Sequence, residues 1–529
     1  MSLVSTCFLA MAFLFFAWKR LMTYLQMLQQ DDYDCDRFWD WIKQHKAFDR
    51  KASICLLALV VPASVLPQFA DIFKMVGALC MATIGWMEAD PRVSGKKKLA
   101  LTARASRIIW AAFGLCCITI PLAVYLQSGL LVWVFYIQLI PYLLMAATWM
   151  LDPWEQSVQK TFLDEAHKKL LDLKPFTIGI TGSFGKTSTK HILGHVLSQF
   201  APTLVTPGSI NTPMGITRVV RETLAPHHKY FICEMGAYGE SSIKRLCDLA
   251  PPDAAVLVTV GHAHYERFKS LETVAKTKCE LPEAATAKGG WSVIGSDVLD
   301  FEHTNTFINA NRGRVTLVGH RDGDDIRVTD VGQDADGIYA KIIWNGVNHT
   351  LTAPLFGLHH ATNMVLAFAT ACRMGLDPVL VTAAFKTTPQ IRHRLEVIHQ
   401  PSGAIVIDDA YNSNPQGFKS ALEVLSLLGK GRRRILISPG MIEMGEAHDA
   451  EHRKLGAQAA VDCDVFLPVS PVRIKAMTDA FKANAPHKLV VPCATFADAQ
   501  KWLGDNMRHD DIVLLENDLP DLYERKINL

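Results

Sequence analysis

Five apolar runs crowd into the first 151 residues of this 529-residue chain, and few charges interrupt them. They cover residues 4–18, 52–69, 75–87, 108–126 and 130–151. A helix needs about 20 apolar residues to cross a bilayer, so the last two runs are the clearest spans and the other three are marginal in length. The alternative, a set of buried core helices, rarely brings so many apolar segments together. The pattern predicts a membrane domain over residues 1–151 with about five transmembrane helices.

Basic residues in the loops predict the orientation of these helices. They follow the first run at Lys19, Arg20, Arg37, Lys43, Lys46, Arg50 and Lys51, and they precede the fourth at Arg92, Lys96, Lys97, Lys98, Arg104 and Arg107. Such loops remain cytoplasmic, so five spans place everything after residue 151 in the cytoplasm, although Lys74 fits this poorly. The first run has no preceding basic residue, which disfavours a cleaved signal peptide. We expect a multi-pass protein of the inner, cytoplasmic membrane, with the lipid bilayer as a partner.

The pattern changes after residue 151. Apolar side chains then recur at helical spacing at Trp154, Val158, Phe162, Ala166 and Leu170, which predicts an amphipathic linker helix over residues 152–175. From residue 176 onward short apolar strands alternate with helical patterns, as in doubly wound α/β domains. Residues 314–354 are richer in alternating β-formers and turn residues, and they predict a small β subdomain within the first soluble domain.

Charge and cysteine content exclude several functions. Lysine and arginine (54) nearly balance aspartate and glutamate (52), and the net charge is +2, so no overall field favours nucleic acid as a partner. The 12 cysteines are scattered without a C-x-x-C pair, which argues against a zinc ribbon or a disulfide framework. Reduced thiols facing the cytosol are the simpler interpretation.

A glycine-rich loop carries the strongest chemical signal. The β-type run at residues 176–180 leads into TGSFGKTST at 181–189, and a helical pattern follows. Glycines let backbone N–H groups close around phosphate oxygens, Lys186 reaches the β- and γ-phosphates, and Thr187 can bind Mg²⁺. The strict P-loop pattern fails by one position, because Ile180 stands where its first glycine belongs. A glycine-rich turn with a surface lysine is the alternative, but the strand and helix around the loop favour nucleotide binding.

Further motifs follow in a fixed order. They are NTPMG at 211–215, EMGA at 234–237, HYERF at 264–268, AKTKCE at 275–280, GLH at 357–359 with Asn363, RHR at 392–394, DDAYNSNP at 408–415 and GMIEMG at 440–445. Together with the loop, this series resembles the Mur ligase family, and the DDAYNSNP string most resembles the ligases that add D-alanyl-D-alanine. The resemblance implies a central P-loop ATPase domain over residues 176–397 and a Rossmann-like C-terminal domain over residues 398–529, both α/β.

The resemblance also implies roles for individual residues. Catalytic roles fall on Lys186, Glu234, His264 and Lys278. ATP-binding roles fall on Gly182, Ser183, Gly185, Lys186, Thr187, Ser188, Asn363, Arg394 and Asp409. Metal ligands would be Thr187, Glu234, His264 and Lys278, the last if carbamylated, and substrate contacts would be Asn211, Thr212, Asn412 and Asn414. The choice of Lys278 over the nearby Lys276 comes from the resemblance, since the two would face different sides of a helix.

The implied reaction joins a carboxylate to an amine. The carboxylate attacks the γ-phosphate of ATP with two Mg²⁺ ions neutralising charge, and an amine then displaces phosphate from the acyl phosphate to form an amide. The expected partners are an amino-acid or dipeptide amine and a nucleotide-linked or lipid-linked carboxylate in peptidoglycan or related cell-envelope synthesis, with other envelope enzymes as further candidates.

Two departures from the family keep alternatives open. The apolar segment stands where cytosolic relatives grip a nucleotide sugar, and the sequence at 513–521 replaces a Lys-Gly-Ser-Arg-type turn. The identities of the acceptor and of the amine therefore stay open. The alternatives are a polyglutamate-type ligase on a membrane-linked acceptor, a non-catalytic nucleotide-binding scaffold, and a transporter with a soluble ATPase. The predicted apolar runs contain no charged residues that would mark a transport pathway.

Overall fold

The computed structural model describes residues 2–94, 97–125, 129–261, 268, 270–411, 413–442 and 444–517. Its contacts divide the chain into two compact units that meet in sequence at Gln159 and Lys160. The first unit is helical, and the second contains both β-sheets. The predicted α/β class of the soluble part is confirmed.

The first unit is built from helices α1 (Ser2–Gln30), α2 (Cys35–His45), α3 (Arg50–Val65), α4 (Ala70–Met87), α5 (Ala103–Tyr125) and the first part of α6 (Leu130–Leu173), with a 3₁₀ turn at Pro67–Phe69. Among the described residues, four helical stretches are long and apolar enough to cross a membrane: Leu3–Gln30, Pro67–Met87, Ala103–Tyr125 and Leu130–Leu173. About five were predicted; the run at 52–69 corresponds to α3, which has 16 residues and is too short to be counted with them. Exposed apolar side chains such as Ile54, Leu79 and Ile118 lie on the outside of this bundle.

Polar contacts show which loops of the first unit lie together. Arg20 near the end of α1 pairs with Asp49 at 2.6 Å and with Glu88 at 3.0 Å. These carboxylates precede α3 and follow α4, respectively, so both connections lie at the same end of the bundle. Arg107 at the start of α5 pairs with Glu155 at 2.5 Å. Gln26 in α1 donates to the carbonyl of Lys97 at 2.7 Å, before α5. Helices α1 and α3–α6 therefore run alternately up and down, and the loops that are rich in basic residues share one end.

Helix α6 joins the two units in sequence. The predicted span at 130–151 and the predicted linker helix at 152–175 form one continuous helix that ends at Leu173. Pro141 and Pro153 lie inside this helix without ending it. Within the second unit, Ala166 and Leu170 are buried against a cluster that includes Ile216 and Phe231. The amphipathic pattern therefore buries the last turns of α6 in the core of the first soluble domain.

The first sheet has nine strands in the order β2-β3-β1-β4-β5-β6-β7-β8-β9. The strands are β1 (Phe176–Thr181), β2 (Thr203–Val205), β3 (Tyr230–Glu234), β4 (Ala254–Leu257), β5 (Trp291–Gly295), β6 (Val315–Gly319), β7 (Ile326–Asp334), β8 (Gly337–Trp344) and β9 (Val347–Ala353). Pairing is parallel from β2 to β7 and antiparallel from β7 to β9. Residues 314–354, which were predicted to form a small β subdomain, thus form strands β6–β9 and extend the main sheet.

Helices cover this sheet and join its strands. They are α7 (Lys186–Ser198), α8 (Pro213–Thr223), α9 (Ser242–Leu249), α10 (Leu271–Ala287), α11 (Glu302–Ala310), α12 (His359–Arg373) and α13 (Pro378–Phe385). Short 3₁₀ turns lie at Ser296–Asp300 and Arg312–Arg314. One core cluster contains α7 and α12 side chains, and another lies between α6, α8, α9 and α10. Parallel strands covered on both faces are typical of a doubly wound domain.

The second sheet has the order β10-β11-β15-β12-β13-β14. Its strands are β10 (Glu396–His399), β11 (Ile405–Asp409), β12 (Arg434–Ser438), β13 (Val465–Pro468), β14 (Leu489–Val490) and β15 (Ile512–Glu516). Its helices are α14 (Pro415–Leu428), α15 (His448–Asp462), α16 (Lys475–Asn484) and α17 (Phe496–Asn506), with a 3₁₀ turn at Gly445–Ala447. Only β10 pairs antiparallel among these described strands. The carboxyl ends of the parallel strands therefore share one edge of the sheet, where α/β proteins commonly bind ligands.

Candidate active site

The glycine loop lies between β1 and α7, and close packing explains its second glycine. Gly185 has a φ of +78°, a left-handed conformation that glycine adopts without strain. A Cβ there would lie 2.5 Å from Asn363 Oδ1 and 2.8 Å from Val258 Cγ1. Ser183 fastens the other side of the loop, because its hydroxyl donates to the carbonyl of Gly261 at 3.0 Å. The loop is thus held in one shape at the N-terminus of α7.

Lys186 points back into the loop. Its Nζ donates to the carbonyl oxygens of Gly182 at 2.6 Å and Ser183 at 3.2 Å. Burial lowers the pKa of Lys186 to about 8, while the charge of Glu234 acts in the opposite direction. Ser188 lies in the first turn of the helix and is buried. An ammonium and the helix N-terminus together favour an anion at this place.

Glu234, at the end of β3, is the centre of the polar network. Its Oε2 accepts from Lys190 Nζ at 2.8 Å and from Thr187 Oγ1 at 3.0 Å. Its Oε1 accepts from Asn211 Nδ2 at 3.2 Å. The residue is 1% exposed, so these donors compensate a buried carboxylate. Parallel pairing of β1 with β3 brings Glu234 beside the glycine loop.

Arg394, in the segment between α13 and β10, reaches the same place. Its guanidinium lies 4.5 Å from the centre of the Tyr411 ring and donates a long hydrogen bond of 3.5 Å to Thr187 Oγ1. The neighbouring Leu395 N–H donates to Asp409 Oδ1 at 3.2 Å. The structure thus brings Arg394 to the phosphate loop, and Asp409 contacts the residue that follows Arg394 in the chain.

Lys278 lies on the buried side of α10, whereas Lys276 is exposed. Burial lowers the pKa of Lys278 well below its usual value, and the positive charge of Lys186 adds to this effect. Both effects favour the neutral form of the Lys278 amine. The structure thus distinguishes Lys278 from Lys276 by burial, a distinction that the sequence spacing alone did not provide.

Sequence profiles identify both soluble domains. The Mur ligase middle domain matches residues 180–371, and the Mur ligase glutamate ligase domain matches residues 393–516. The chain belongs to the Mur ligase family. It is 33% identical over 301 residues to the UDP-N-acetylmuramoyl-tripeptide–D-alanyl-D-alanine ligase of Mycobacterium tuberculosis, covering 54% of this chain and 56% of that protein. It is 28% identical over 307 residues to the ligase of the same name from Bacillus subtilis, covering 58% and 64%.

Solved structures agree on the fold. A MurF ligase from Thermotoga maritima in complex with ADP aligns with a TM-score of 0.57 and 23% identity, covering 70% of this chain and 82% of that chain. A MurF structure from Acinetobacter baumannii aligns with a TM-score of 0.60 and 21% identity, covering 69% and 78%. The Mur ligase fold is therefore present, while the chain spans 56–64% of the length of the curated relatives named above.

The remaining residues predicted from the Mur ligase resemblance are placed less uniformly. Asn363 is 2% exposed and accepts a hydrogen bond from Thr189 at 3.2 Å, so it supports the loop from behind. Thr212 and Asn414 are N-cap residues of α8 and α14, and each is followed by a proline. Asn211 joins the Glu234 network, and Tyr238 donates to its Oδ1 at 2.7 Å. His264 and Asn412 lie outside the described residues.

Two further residues of this site, Lys190 and Glu516, were not predicted from the sequence. Lys190 is buried and contacts Glu234, and it also donates to the carbonyl of Gly208 at 2.5 Å. Its position three residues after Thr187 places both side chains on one face of α7, which is the spacing that could have indicated it. Glu516, at the end of β15, is fully buried beside Asp409. The departure noted at residues 513–521 includes Glu516, but it did not indicate a role for this residue.

Proposed function

We propose that this Mur ligase is an ATP-dependent carboxylate–amine ligase that adds D-alanyl-D-alanine to a muramoyl tripeptide in peptidoglycan synthesis. The observation that carries the proposal is the convergence of Thr187, Lys190 and Asn211 on the buried Glu234, beside Lys186 and within reach of Arg394. The proposed substrates are taken from the name of the relatives, UDP-N-acetylmuramoyl-tripeptide–D-alanyl-D-alanine ligase. Their partial coverage makes the complete reaction a proposal.

The donor set fits Mg²⁺. Glu234 offers a buried carboxylate and Thr187 a hydroxyl, and such hard oxygens are the ligands that Mg²⁺ prefers. Lys278 would add a carboxylate-like ligand if its neutral amine is carbamylated by carbon dioxide, and His264 is the further candidate. When bound, Mg²⁺ would neutralise negative charge on the phosphates. Removing dissolved carbon dioxide should lower activity and bicarbonate should restore it; an unchanged rate would contradict the carbamate.

The residues of the chain mainly position reactants and exclude water. Lys186 and the N-terminus of α7 hold the γ-phosphate while the substrate carboxylate oxygen attacks phosphorus and the bond to ADP breaks. The amine of D-alanyl-D-alanine then attacks the acyl carbon, loses a proton, and expels phosphate to leave the amide. Arg394 compensates phosphate charge from the end of the central domain. Closure of the C-terminal domain would protect the acyl phosphate from hydrolysis.

We further propose that the first unit anchors the ligase in the inner membrane and leaves the catalytic domains in the cytoplasm. Four stretches of the described residues have the necessary length and apolar character, and the shorter apolar helix α3 supplies the fifth crossing. The connections at one end of the bundle contain most of the basic residues. A protease-protection assay on oriented vesicles tests this. Cleavage of the soluble domains from the outside of right-side-out vesicles would contradict it.

The function is tested by amine-dependent release of ADP from the full chain in detergent. We expect release with a UDP-linked muramoyl tripeptide and D-alanyl-D-alanine, and none when either is left out. D-alanine and glutamate serve as control amines, because a response to glutamate alone would indicate a polyglutamate-type ligase. A lipid-linked tripeptide should be compared in parallel. Exclusive use of the lipid-linked form would overturn the nucleotide-linked acceptor but not the reaction.

A further inference from the structure

Two carboxyl groups lie side by side at the carboxyl edge of the second sheet. Strands β11 and β15 pair in parallel, and the register places Asp409 opposite Glu516 at the last residue of each strand. The backbone N–H of Asn517 donates to the carbonyl of Asp409 at 3.1 Å. The side chain of Asn517 donates to the carbonyl of Gly440 at 2.6 Å, which fixes the chain as it leaves β15. The two strand ends are therefore held together.

Glu516 lies in an environment with few donors. It is fully buried, and Ser413 Oγ donates to its Oε1 at 2.5 Å. Its Oε2 is also buried and receives no N–H or O–H from the residues that the structure describes. The carboxyl of Asp409 stands opposite Glu516 in the register of β11 and β15, and its charge acts on Glu516. Two carboxyl groups can share a hydrogen bond only if one of them holds a proton.

Asp409 connects this pair to the phosphate site. Its Oδ1 accepts the N–H of Leu395, the residue next to Arg394, and the Arg394 charge lies close enough to lower the pKa of Asp409. Arg394 in turn donates to Thr187 in the glycine loop. A chain of contacts thus runs from Glu516 through Asp409 and the Arg394 segment to the candidate nucleotide phosphates.

The charged groups around the pair favour the shared proton. Burial raises the pKa of Glu516 well above its usual value, and the Asp409 charge adds to this effect. Burial also raises the pKa of Asp409 to about 7, where Arg394 acts against it and Asp408 acts with it. Ser413 favours the ionised form of Glu516. The groups facing the pair from β11, β15 and the loops beside them are thus Arg394, Asp408 and Ser413.

We propose that Glu516 is a positioning residue that acts as a neutral acid: it donates a hydrogen bond to Asp409 and thereby holds Asp409 and the Arg394 segment in place for the nucleotide. The proposal rests on the proposed function, because it assumes that Arg394 contacts bound ATP. An ionised Glu516 would repel Asp409 across a buried contact. Loss of the shared proton would therefore release the segment that carries Arg394.

Conservative and disruptive variants separate positioning from simple packing. Glu516→Gln keeps the size of the side chain, supplies an N–H to Asp409 and still accepts from Ser413. Glu516→Ala removes the donor, and we expect it to raise the KM for ATP about ten-fold, the effect of losing one hydrogen bond to a charged group, with a smaller change in kcat. Glu516→Gln should stay within about two-fold of the wild-type KM, since its amide replaces the donor that the alanine lacks.

The pH dependence of the KM gives a second readout in the full chain. In the wild type the KM for ATP should rise with pH as the pair loses its proton, and in Glu516→Gln this rise should be absent because the amide does not ionise. Asp511→Asn is the matched control: Asp511 is buried at the other end of β15, where it pairs with Arg433 at 2.6 Å. We expect this control to affect stability and to leave the pH dependence of the KM unchanged.

Infrared spectra test the protonation without any turnover. The wild type at slightly alkaline pH should show the C=O stretch of a protonated carboxylic acid, which Glu516→Gln removes and Asp511→Asn keeps. If ligation failed altogether, this band would still report on the pair, so the two failures are distinguishable. The proposal is overturned if the band is absent, if Glu516→Ala leaves the KM for ATP unchanged, or if Glu516→Gln is as impaired as Glu516→Ala.

Discussion

Replacing Lys190 with methionine would leave Glu234 as a buried carboxylate without its closest cation. The two side chains are 3% and 2% exposed and lie 2.8 Å apart. Removing one partner of such a buried pair costs about 3–5 kcal/mol. Asn211 and Thr187 still donate to Glu234 in this variant. We therefore expect a cost near the lower limit, about 3 kcal/mol, which lowers the melting temperature of a domain of this size by roughly 6–12 °C.

A double-mutant cycle tests this reasoning. Glu234→Gln should destabilise the domain by a similar amount, because it leaves the Lys190 ammonium buried with only neutral partners. Combining Lys190→Met with Glu234→Gln removes both charges, so the double variant should lose much less than the sum of the single variants. The measurement is thermal unfolding of the full chain in detergent with a chelator and without nucleotide. Strictly additive shifts, or single variants that melt within about 1 °C of the wild type, would refute the buried pair.

Three further predictions concern the loop and the pair of carboxyl groups. Lys186→Ala should abolish ADP release while the chain still inserts into membranes, as measured by carbonate extraction; substantial residual ligation would contradict the role of Lys186. Gly185→Ala should weaken ADP binding at least ten-fold, because its Cβ would collide with Asn363 and Val258, and equilibrium dialysis would show this. The pKa of Asp409 is raised in the folded state to about 7, so its contribution to stability should be lost as the pH rises from about 4 to 7. Denaturant unfolding of Asp409→Asn should show a shallower fall, and an unchanged pH profile would contradict that contribution.

The sequence predicted the elements whose chemistry depends on local pattern. The glycine loop followed from alternating strand, glycines and helix, and the apolar runs correspond to helices α1 and α3–α6. The spacing of apolar residues predicted the ends of the helices less well. The predicted break between the last span and the linker helix is absent because helical periodicity continues through Pro153 while only the polarity of the faces changes. A change of polarity does not by itself end a helix.

Contacts between distant parts of the chain could not be read from spacing. Lys278 and Lys276 differ in burial only because α10 packs one face against the sheet. Thr212 and Asn414 stood in motifs that suggested substrate contacts, yet both cap helices in the structure. The register of β11 and β15 places Glu516 beside Asp409, although the two strands are separated by about one hundred residues of sequence. Pairing across such distances is decided by the whole fold.

The central claim is that the carboxylate of the acceptor passes through an acyl phosphate. A tripeptide acceptor whose terminal carboxylate oxygens carry a heavy isotope tests it most directly, with the full chain in detergent, ATP and D-alanyl-D-alanine. The account predicts that each phosphate released contains one labelled oxygen, because the oxygen that attacks phosphorus leaves with it. Release of unlabelled phosphate at the rate of ADP formation would show that water attacks ATP, and it would contradict the ligase assignment.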